Sequence, residues 1–155
     1  DNVALIGCGS IGSKVKANNI HSFPRRSDFE NIEDFNTLVV TVQPEGNNKL
    51  IGHNILSKFK GKLISVSRST VIDNTALYEN IDNITHAYVD TLDSHLRESL
   101  LETGKITYTR HTAFEYRFSY ENNTKYFDDL NDTIMDCLND TVDNPILRRT
   151  LRITF

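Results

Sequence analysis

The 155-residue sequence has little cysteine or proline and no long apolar run, and each shortage excludes a class of protein. Three prolines and seven glycines are too few for a collagen-like chain. Cys8 and Cys137 lie far apart and outside CxxC spacing, which argues against a disulfide framework or a zinc site and predicts two reduced packing residues. Apolar runs such as residues 37–42 fall far short of the ~20 residues that span a bilayer. We therefore expect a globular protein without a membrane span.

Charge and the first residues narrow the class further. The formal net charge of −4 provides no general attraction for a phosphate backbone, so nucleic acid is not an expected partner. Asp1 and Asn2 lead straight into the apolar residues 3–6, without the basic-then-apolar pattern of a secretory leader. This pattern predicts a cytoplasmic protein or an excised domain. The length falls within the ~100 to 200 residues of one domain, which predicts a single core.

Short apolar, β-branched runs alternate with longer polar or amphipathic stretches, as in βαβ units around a parallel sheet. Several runs are too continuously apolar for a half-exposed strand, which indicates helices on both faces. The sequence thus predicts an α/β fold: a Rossmann-type, doubly wound parallel sheet in three αβα layers. The predicted strands are residues 3–6, 20–23, 38–42, 63–67, 86–89 and 106–109. The predicted helices are residues 11–17, 53–59 and 74–80, with a short turn at 32–35.

The pattern changes after the sixth predicted strand. Residues 120–139 carry apolar side chains at helical spacing, namely Phe127, Leu130, Ile134 and Leu138. We predict one long amphipathic helix there, followed by a break at Pro145 and an edge strand or docked tail over residues 146–155. Two units follow from this pattern: an α/β domain over 1–113, and a helix and tail over 114–155 that pack on that domain or on a partner.

Six residues with the glycine spacing GxGxxG come directly after the first predicted strand: Gly7, Cys8, Gly9, Ser10, Ile11 and Gly12. In a dinucleotide site the first glycine permits a tight turn, and the second lets a pyrophosphate approach the backbone. The third lets the following helix pack closely on the strand. The spacing alone is weak evidence, but its place between a strand and a helical stretch favours dinucleotide binding over a glycine-rich turn that binds nothing.

The residues after the second predicted strand bear on which dinucleotide binds. NAD sites place an acidic residue there to bind the ribose hydroxyls, and none ends this strand. Arg25, Arg26 and Ser27 follow instead, and their guanidiniums and hydroxyl suit a 2′-phosphate. This pattern favours NADP, with NAD as the alternative because Asp28 could also reach the ribose. An exposed basic loop without a ligand is the simpler interpretation of the same residues.

A longer set of segments resembles the cofactor domain of the D-isomer-specific 2-hydroxyacid dehydrogenases. The order and spacing match from Val3 to about Ala113. The matching segments are Leu38-Val39-Val40-Thr41-Val42-Gln43-Pro44, Leu50-Ile51-Gly52, Lys62 through Asp73, Ala87-Tyr88-Val89-Asp90 and Thr109-Arg110-His111. The resemblance implies that Arg68 and His111 are catalytic, and that Pro44, Ser67 and Asp90 border the cofactor.

The chemistry of Arg68 and His111 agrees with the roles that the resemblance implies. A 2-oxo acid carries a carboxylate beside a ketone, and a guanidinium can hold and polarise both through charge-assisted hydrogen bonds. Reduction needs a proton for the new hydroxyl, and imidazole can donate one near neutral pH. The simpler interpretations are a surface ion-pair partner for Arg68 and a structural role for His111.

The sequence departs from the family pattern at two places. The family has a glutamate that holds the catalytic histidine, and His95 occupies its place here, with Asp93 two residues earlier as a possible substitute. The family also builds a substrate domain mainly ahead of the cofactor strand, which begins here at Val3. We expect either a fragment of a longer enzyme or a reduced dinucleotide-binding protein. The apolar stripe of the predicted long helix would then seek a partner, so a homodimer is expected.

These observations predict an NADP-preferring 2-hydroxyacid dehydrogenase that reduces a small 2-oxo acid, with Arg68 as substrate anchor and His111 as acid/base. The missing glutamate and substrate domain favour an alternative, a non-catalytic dinucleotide sensor similar to the corepressors that use this fold. A third interpretation is a different Rossmann reductase, in which Arg68 and His111 do not face one cleft. No metal site is expected.

Overall fold

Six parallel strands form one sheet in the computed structural model, which describes residues 2–23, 29 and 31–109. The strands are β1 (Asn2–Ile6), β2 (Asn19–Phe23), β3 (Thr37–Val40), β4 (Gly61–Ser65), β5 (Ile84–Val89) and β6 (Ile106–Tyr108). They lie in the order β2-β1-β3-β4-β5-β6, and every neighbouring pair is parallel. All six predicted strands are confirmed, with ends that shift by one or two residues.

Short helices connect the strands. The α-helices are α1 (His53–Leu56), α2 (Asn74–Glu79) and α3 (Arg97–Glu102). Four 3-10 helices cover Gly12–Lys14, Ile32–Asp34, Ser69–Val71 and Ile81–Asn83. The predicted helices at 53–59 and 74–80 and the turn at 32–35 are confirmed, though each is shorter than predicted. The sequence did not predict α3, which begins without a side-chain cap and so lacks the usual start signal.

The helix predicted over residues 11–17 is wrong in extent. Only Gly12–Lys14 is helical, as a single 3-10 turn, and Val15 is already extended with φ −66° and ψ 128°. The chain has few residues in which to return from the end of β1 to Asn19, which pairs with Asn2 at the start of the sheet. An extended residue advances about 3.3 Å and a helical one about 1.5 Å, so extension makes the return possible.

Two hydrophobic cores lie on opposite faces of the sheet, because successive strand residues point to opposite sides. Ala4 and Ile6 of β1 belong to the first core, whereas Val3 and Leu5 belong to the second. Helices α1, α2 and α3 all contribute buried side chains to the first core: Ile55, Leu56, Ala76, Leu77 and Leu100. In the second core, Val15 is buried beside the first 3-10 turn. The sheet and its helices confirm the predicted Rossmann-type α/β class.

Helix α2 begins where the sequence supplies a cap. Asp73 accepts hydrogen bonds from the amides of Thr75 and Ala76, and its carboxylate lies 3.2 Å from Nζ of Lys49. Partial burial raises the pKa of the Asp73 carboxyl, but the Lys49 ion pair and the two amides outweigh burial and hold that pKa below the ordinary 3.8. The cap therefore ties the segment after β3 to the start of α2.

Several predictions fall outside the described residues. They are the long helix over 120–139, the tail over 146–155 and the boundary at residue 113. The homodimer was predicted from that helix, so it also stays a prediction. None of the described helices has the length and apolar character that crossing a membrane requires.

Candidate functional site

The described site residues that the sequence predicted all lie beyond the carboxyl ends of strands. Because the strands are parallel, these ends meet at one edge of the sheet, called here the carboxyl edge. Gly7, Gly9, Ser10, Ile11 and Gly12 follow β1, Pro44 follows β3, Ser67 and Arg68 follow β4, and Asp90, Asp93 and His95 follow β5. The topology thus brings together residues that are up to 88 positions apart in the sequence (95 − 7).

The glycine loop, residues 7–12, lies at the point where the strand order reverses. From β1 the chain continues to β2 on one side, and then crosses to β3 on the other side. In open parallel sheets the loops at such a reversal leave a crevice beyond the strand ends, and ligands bind there. The loop after β3, which contains Pro44, borders the same crevice.

Three glycines of the loop meet three different steric demands. Gly7 has φ +99°, and a Cβ there would lie 2.8 Å from Cγ1 of Val42. Gly12 is buried, and a Cβ there would overlap the carbonyl oxygen of Gly7. Gly9 is exposed, and a Cβ there would meet nothing within 4 Å. The loop is therefore held closely at Gly7 and Gly12 and leaves open backbone at Gly9, as a site for a pyrophosphate requires.

The rest of the loop is short and hydrogen-bonded internally. The amide of Ser13 donates to the carbonyl of Gly9 at 2.9 Å, and the amide of Lys14 donates to that of Ile11 at 3.0 Å. Ser10 is exposed, and Ile11 packs against the second core. Cys8 is also exposed and carries a free thiol, so the predicted packing role is wrong for this cysteine. Cys137 lies outside the described residues.

The end of β2 lies beside the glycine loop. The amide of Gly7 donates to the carbonyl of Phe23 at 3.4 Å, which sets the two loop starts side by side. The Phe23 ring contacts three aromatic neighbours, with centroid distances of 4.6 Å to His21, 5.7 Å to Phe29 and 5.8 Å to Phe35. Arg25, Arg26 and Ser27 come next in the sequence and lie outside the described residues.

Ser67 and Arg68 follow β4 and differ in exposure. Ser67 is buried, and its hydroxyl donates to the carbonyl of Val42 at 2.9 Å. Arg68 is exposed, while its carbonyl accepts from the amide of Val71 at 2.9 Å and begins the 3-10 helix Ser69–Val71. The backbone of Arg68 is thus fixed at the carboxyl edge.

Asp90 ends the next strand as a buried carboxylate. It is 7% exposed, and the hydroxyl of Thr109 donates to its Oδ1 at 2.6 Å. In the following loop Asp93 is half-buried, with its amide donating to Oδ1 of Asn74 at 3.3 Å, whereas His95 is exposed. His111 lies outside the described residues. Within the described ranges no group of three histidine, cysteine or carboxylate side chains could hold a metal ion.

Sequence reasoning missed two hydroxyls at this edge. The Thr41 hydroxyl donates to the carbonyl of Gly7 at 2.7 Å, and the Thr91 hydroxyl donates to the carbonyl of Ser67 at 2.9 Å. Thr41 lies one residue beyond the observed end of β3 but inside the predicted strand 38–42, and Thr91 lies two residues beyond the end of β5. A hydroxyl residue close to a strand end is the local signal that could have identified them. Their hydrogen-bond partners lie just beyond the ends of neighbouring strands, so the partner of each hydroxyl can be identified only when the strand order is known.

Comparison with known proteins supports the fold. No protein-family profile matches the sequence, and no curated protein sequence matches it. Among solved structures, the chain is similar to an NADPH-dependent glyoxylate/hydroxypyruvate reductase of Sinorhizobium meliloti in complex with NADP and malonate. The identity is 22% and the TM-score 0.61, over 88% of this chain and 50% of that one.

Two further structures give comparable likeness. A D-isomer-specific 2-hydroxyacid dehydrogenase of Lactobacillus delbrueckii ssp. bulgaricus in its NAD form is 20% identical, with a TM-score of 0.60 over 91% of this chain and 52% of that one. An acyclic imino acid reductase in complex with NADPH and D-Arg is 20% identical, with a TM-score of 0.59 over 92% and 52%. The chain therefore spans about half the length of these structures. The fold resemblance predicted from the sequence is confirmed.

Proposed function

We propose that this chain is the cofactor-binding part of an NADP-preferring D-2-hydroxyacid dehydrogenase that reduces a small 2-oxo acid. The observation that carries the proposal is the glycine loop at the strand-order reversal, closely packed at Gly7 and Gly12 and open at Gly9. The three solved structures described above are reductases or dehydrogenases whose complexes contain NADP, NADPH or NAD, which supports a nicotinamide dinucleotide as the ligand.

The residues of the carboxyl edge fit such a cofactor. Gly9 and Ser10 are exposed residues, and their backbone amides would bind the pyrophosphate, while Pro44 would border the adenosine side of the crevice. Ser67 and Asp90, beyond β4 and β5, would border the nicotinamide. When bound, the cofactor supplies a hydride for reduction of a carbonyl carbon.

Arg68 and His111 would act on the substrate. Arg68 lies at the carboxyl edge, and its guanidinium would bind the carboxylate of the 2-oxo acid and polarise its ketone through paired N–H donors. His111 would donate a proton to the ketone oxygen, which becomes the hydroxyl of the product. Asp93 and His95 follow Asp90 in one loop, and we propose that one of them supports His111 in place of the family's glutamate.

The 2′-phosphate of NADP would be bound by Arg25, Arg26 and Ser27. In the sequence these residues follow Pro24, which comes after the last residue of β2, Phe23, whose carbonyl accepts a hydrogen bond from the Gly7 amide. A phosphate at this position would need charge-assisted donors, and two guanidiniums provide them. The proposed preference for NADP over NAD rests on the sequence of these three residues.

The experiment is a titration of the chain with NADPH and with NADH, followed by nicotinamide fluorescence. Wild type is compared with the double variant Arg25→Ala, Arg26→Ala. The control is Lys58→Ala, Lys60→Ala, which removes the same charge from exposed residues that precede β4 at the opposite edge of the sheet. We expect tighter binding of NADPH than of NADH, loss of that preference in the arginine variant, and no change in the control.

Two outcomes would contradict the proposal. If wild type binds neither dinucleotide, the glycine loop is a tight turn that binds no ligand. Equal binding of both, unchanged by the arginine variant, would overturn the NADP preference alone. Turnover of glyoxylate, hydroxypyruvate or pyruvate with NADPH by the protein in its natural length then separates the dehydrogenase from a non-catalytic sensor.

A further inference from the structure

Four hydroxyl side chains form a continuous series of hydrogen bonds along the carboxyl edge, here called the hydroxyl ladder. Each belongs to the loop after one strand and donates to a residue one or two positions beyond the end of the neighbouring strand. The bonds are Thr41 to the carbonyl of Gly7 (2.7 Å), Ser67 to that of Val42 (2.9 Å), Thr91 to that of Ser67 (2.9 Å) and Thr109 to the carboxylate of Asp90 (2.6 Å). The ladder thereby connects the ends of β6, β5, β4, β3 and β1 in their order in the sheet.

The ladder extends the pairing of the sheet beyond the last strand residues. Backbone bonds also continue there: the Thr41 amide donates to Ile6 at 2.9 Å, and the Thr109 amide donates to Val89 at 3.0 Å. One or two residues beyond the strand ends, the carbonyls of Gly7, Val42 and Ser67 accept hydrogen bonds from hydroxyl side chains. A hydroxyl one or two residues beyond the strand can reach such a carbonyl and fix its direction.

The two ends of the ladder contact the glycine loop and the Asp90 carboxylate, the two groups that the proposed function requires in fixed positions. At one end, Thr41 binds the same Gly7 carbonyl against which Gly12 packs, and a Cβ at Gly12 would lie 2.8 Å from Oγ1 of Thr41. At the other end, Thr109 and Asp90 are 6% and 7% exposed, so their hydrogen bond is shielded from water. The first end fixes the glycine loop, and the second fixes the carboxylate.

We propose that Thr41 and Thr109 are positioning residues for the two halves of a bound dinucleotide. Thr41 holds the glycine loop in the shape that binds the pyrophosphate. Thr109 holds the Asp90 carboxylate in the direction that accepts a hydrogen bond from the nicotinamide carboxamide. Ser67 and Thr91 connect the two ends through the middle of the sheet. This inference rests on the proposed function, since it assigns roles toward the same cofactor.

Two ligands separate the two roles. NADPH contains both the pyrophosphate and the nicotinamide, whereas ADP-ribose 2′-phosphate lacks the nicotinamide ring. We expect Thr41→Val to raise the dissociation constants of both ligands about tenfold, because both depend on the glycine loop. We expect Thr109→Val to raise that of NADPH by a similar factor and to leave that of ADP-ribose 2′-phosphate unchanged.

Matched variants test whether the hydroxyl itself is responsible. Thr41→Ser and Thr109→Ser keep the donor, so they should restore wild-type affinity for both ligands. Thr85→Val makes the same change at an exposed position of β5 away from this edge, and should alter neither affinity. If a valine variant does not fold, the alanine variant takes its place, because it removes the donor without placing a methyl against the acceptor.

The outcomes distinguish this inference from the proposed function. Wild type that binds neither ligand overturns the proposed function, and this inference with it. Wild-type affinity in the folded Thr41 and Thr109 variants overturns the inference alone. The inference is also overturned if Thr41→Val and Thr109→Val weaken the binding of both ligands equally and the serine variants do not restore the affinity. That result would indicate a general weakening of the sheet.

Discussion

Gly12 packs so closely against the carbonyl oxygen of Gly7 that no side chain fits between them. A Cβ at position 12 would overlap that oxygen, and it would also lie 2.8 Å from Oγ1 of Thr41. Gly9, three residues earlier in the same loop, has open space around the position of its missing Cβ. Gly12 is therefore required for the packing of the loop, whereas Gly9 leaves space for a ligand to approach. Alanine at each position separates stability from binding.

Replacing Gly9 with alanine should weaken cofactor binding without affecting stability. Gly9 does not have positive φ, and the new methyl would meet no protein atom within 4 Å. In the complex that methyl would stand where the pyrophosphate approaches the backbone. We expect the dissociation constant of NADPH to rise at least about tenfold, while the thermal midpoint stays within about 1 °C of wild type. Unchanged NADPH affinity in Gly9→Ala would contradict the proposed site.

Replacing Gly12 with alanine should reduce stability as well as binding. The new methyl must displace the Gly7 carbonyl, and with it the hydrogen bond from Thr41. Overpacking of a close contact costs about 1 to 3 kcal/mol of unfolding free energy. Urea denaturation of Gly12→Ala beside Gly9→Ala measures this difference. Equal stability of the two variants would show that the loop adjusts to a side chain at position 12 without cost.

The capping carboxylate of α2 predicts a stability change with pH. The pKa of Asp73 is below its ordinary 3.8 in the folded chain, so the folded state favours the ionised form. Its contribution is therefore complete above the unfolded pKa and is lost as pH falls through the folded value. We expect Asp73→Ala to lower the unfolding free energy by about 1 kcal/mol at neutral pH, as for other N-caps.

Denaturation of wild type and Asp73→Ala across pH checks this prediction. The difference between the two proteins should hold from neutral pH down to about 5 and should shrink below the ordinary pKa of 3.8. Asp82→Ala is a suitable control, because Asp82 is fully exposed and pairs only distantly with Lys105, at 3.8 Å. A difference for Asp73 that stays constant down to pH 2 would contradict the assignment.

The strands were predictable because their signal is local. Buried parallel strands carry continuous apolar runs, and the adjacent residues Val39 and Val40 are both buried although their side chains point to opposite faces of the sheet. The glycine spacing after β1 identified the loop in the same way. The segment from Gly12 to Ala17 was not predictable at this level, because its conformation depends on the distance to be covered before Asn19 pairs with Asn2.

The hydroxyl ladder could not be predicted from local sequence patterns either. A threonine after an apolar run, as at Thr41 or Thr91, looks like an ordinary polar residue at a strand end. Its acceptor is 34 residues away for Thr41 and 24 residues away for Thr91. Only the order of strands in the sheet makes each pair adjacent. Sequence alone can therefore find residues of the site, whereas the hydrogen bonds that fix their positions follow from topology.

The proposed role of Arg68 predicts a change in substrate affinity that is separate from cofactor affinity. A lysine at this position keeps the charge but loses the paired, planar N–H donors that match a carboxylate. We expect Arg68→Lys to raise KM for the 2-oxo acid about tenfold or more and to leave the dissociation constant of NADPH unchanged. The measurement is steady-state reduction of glyoxylate or hydroxypyruvate by the protein in its natural length.

Arg97 offers a control for this substitution. Its guanidinium lies 5.3 Å from the Tyr108 ring centroid and donates to the carbonyl of Leu92 at 3.4 Å, so its contacts are with the protein. Arg97→Lys should lower the thermal midpoint and leave KM for the 2-oxo acid unchanged. If Arg68→Lys instead shifts the thermal midpoint as Arg97→Lys does, with KM at the wild-type value, Arg68 is a structural residue. The substrate carboxylate must then be bound by another group.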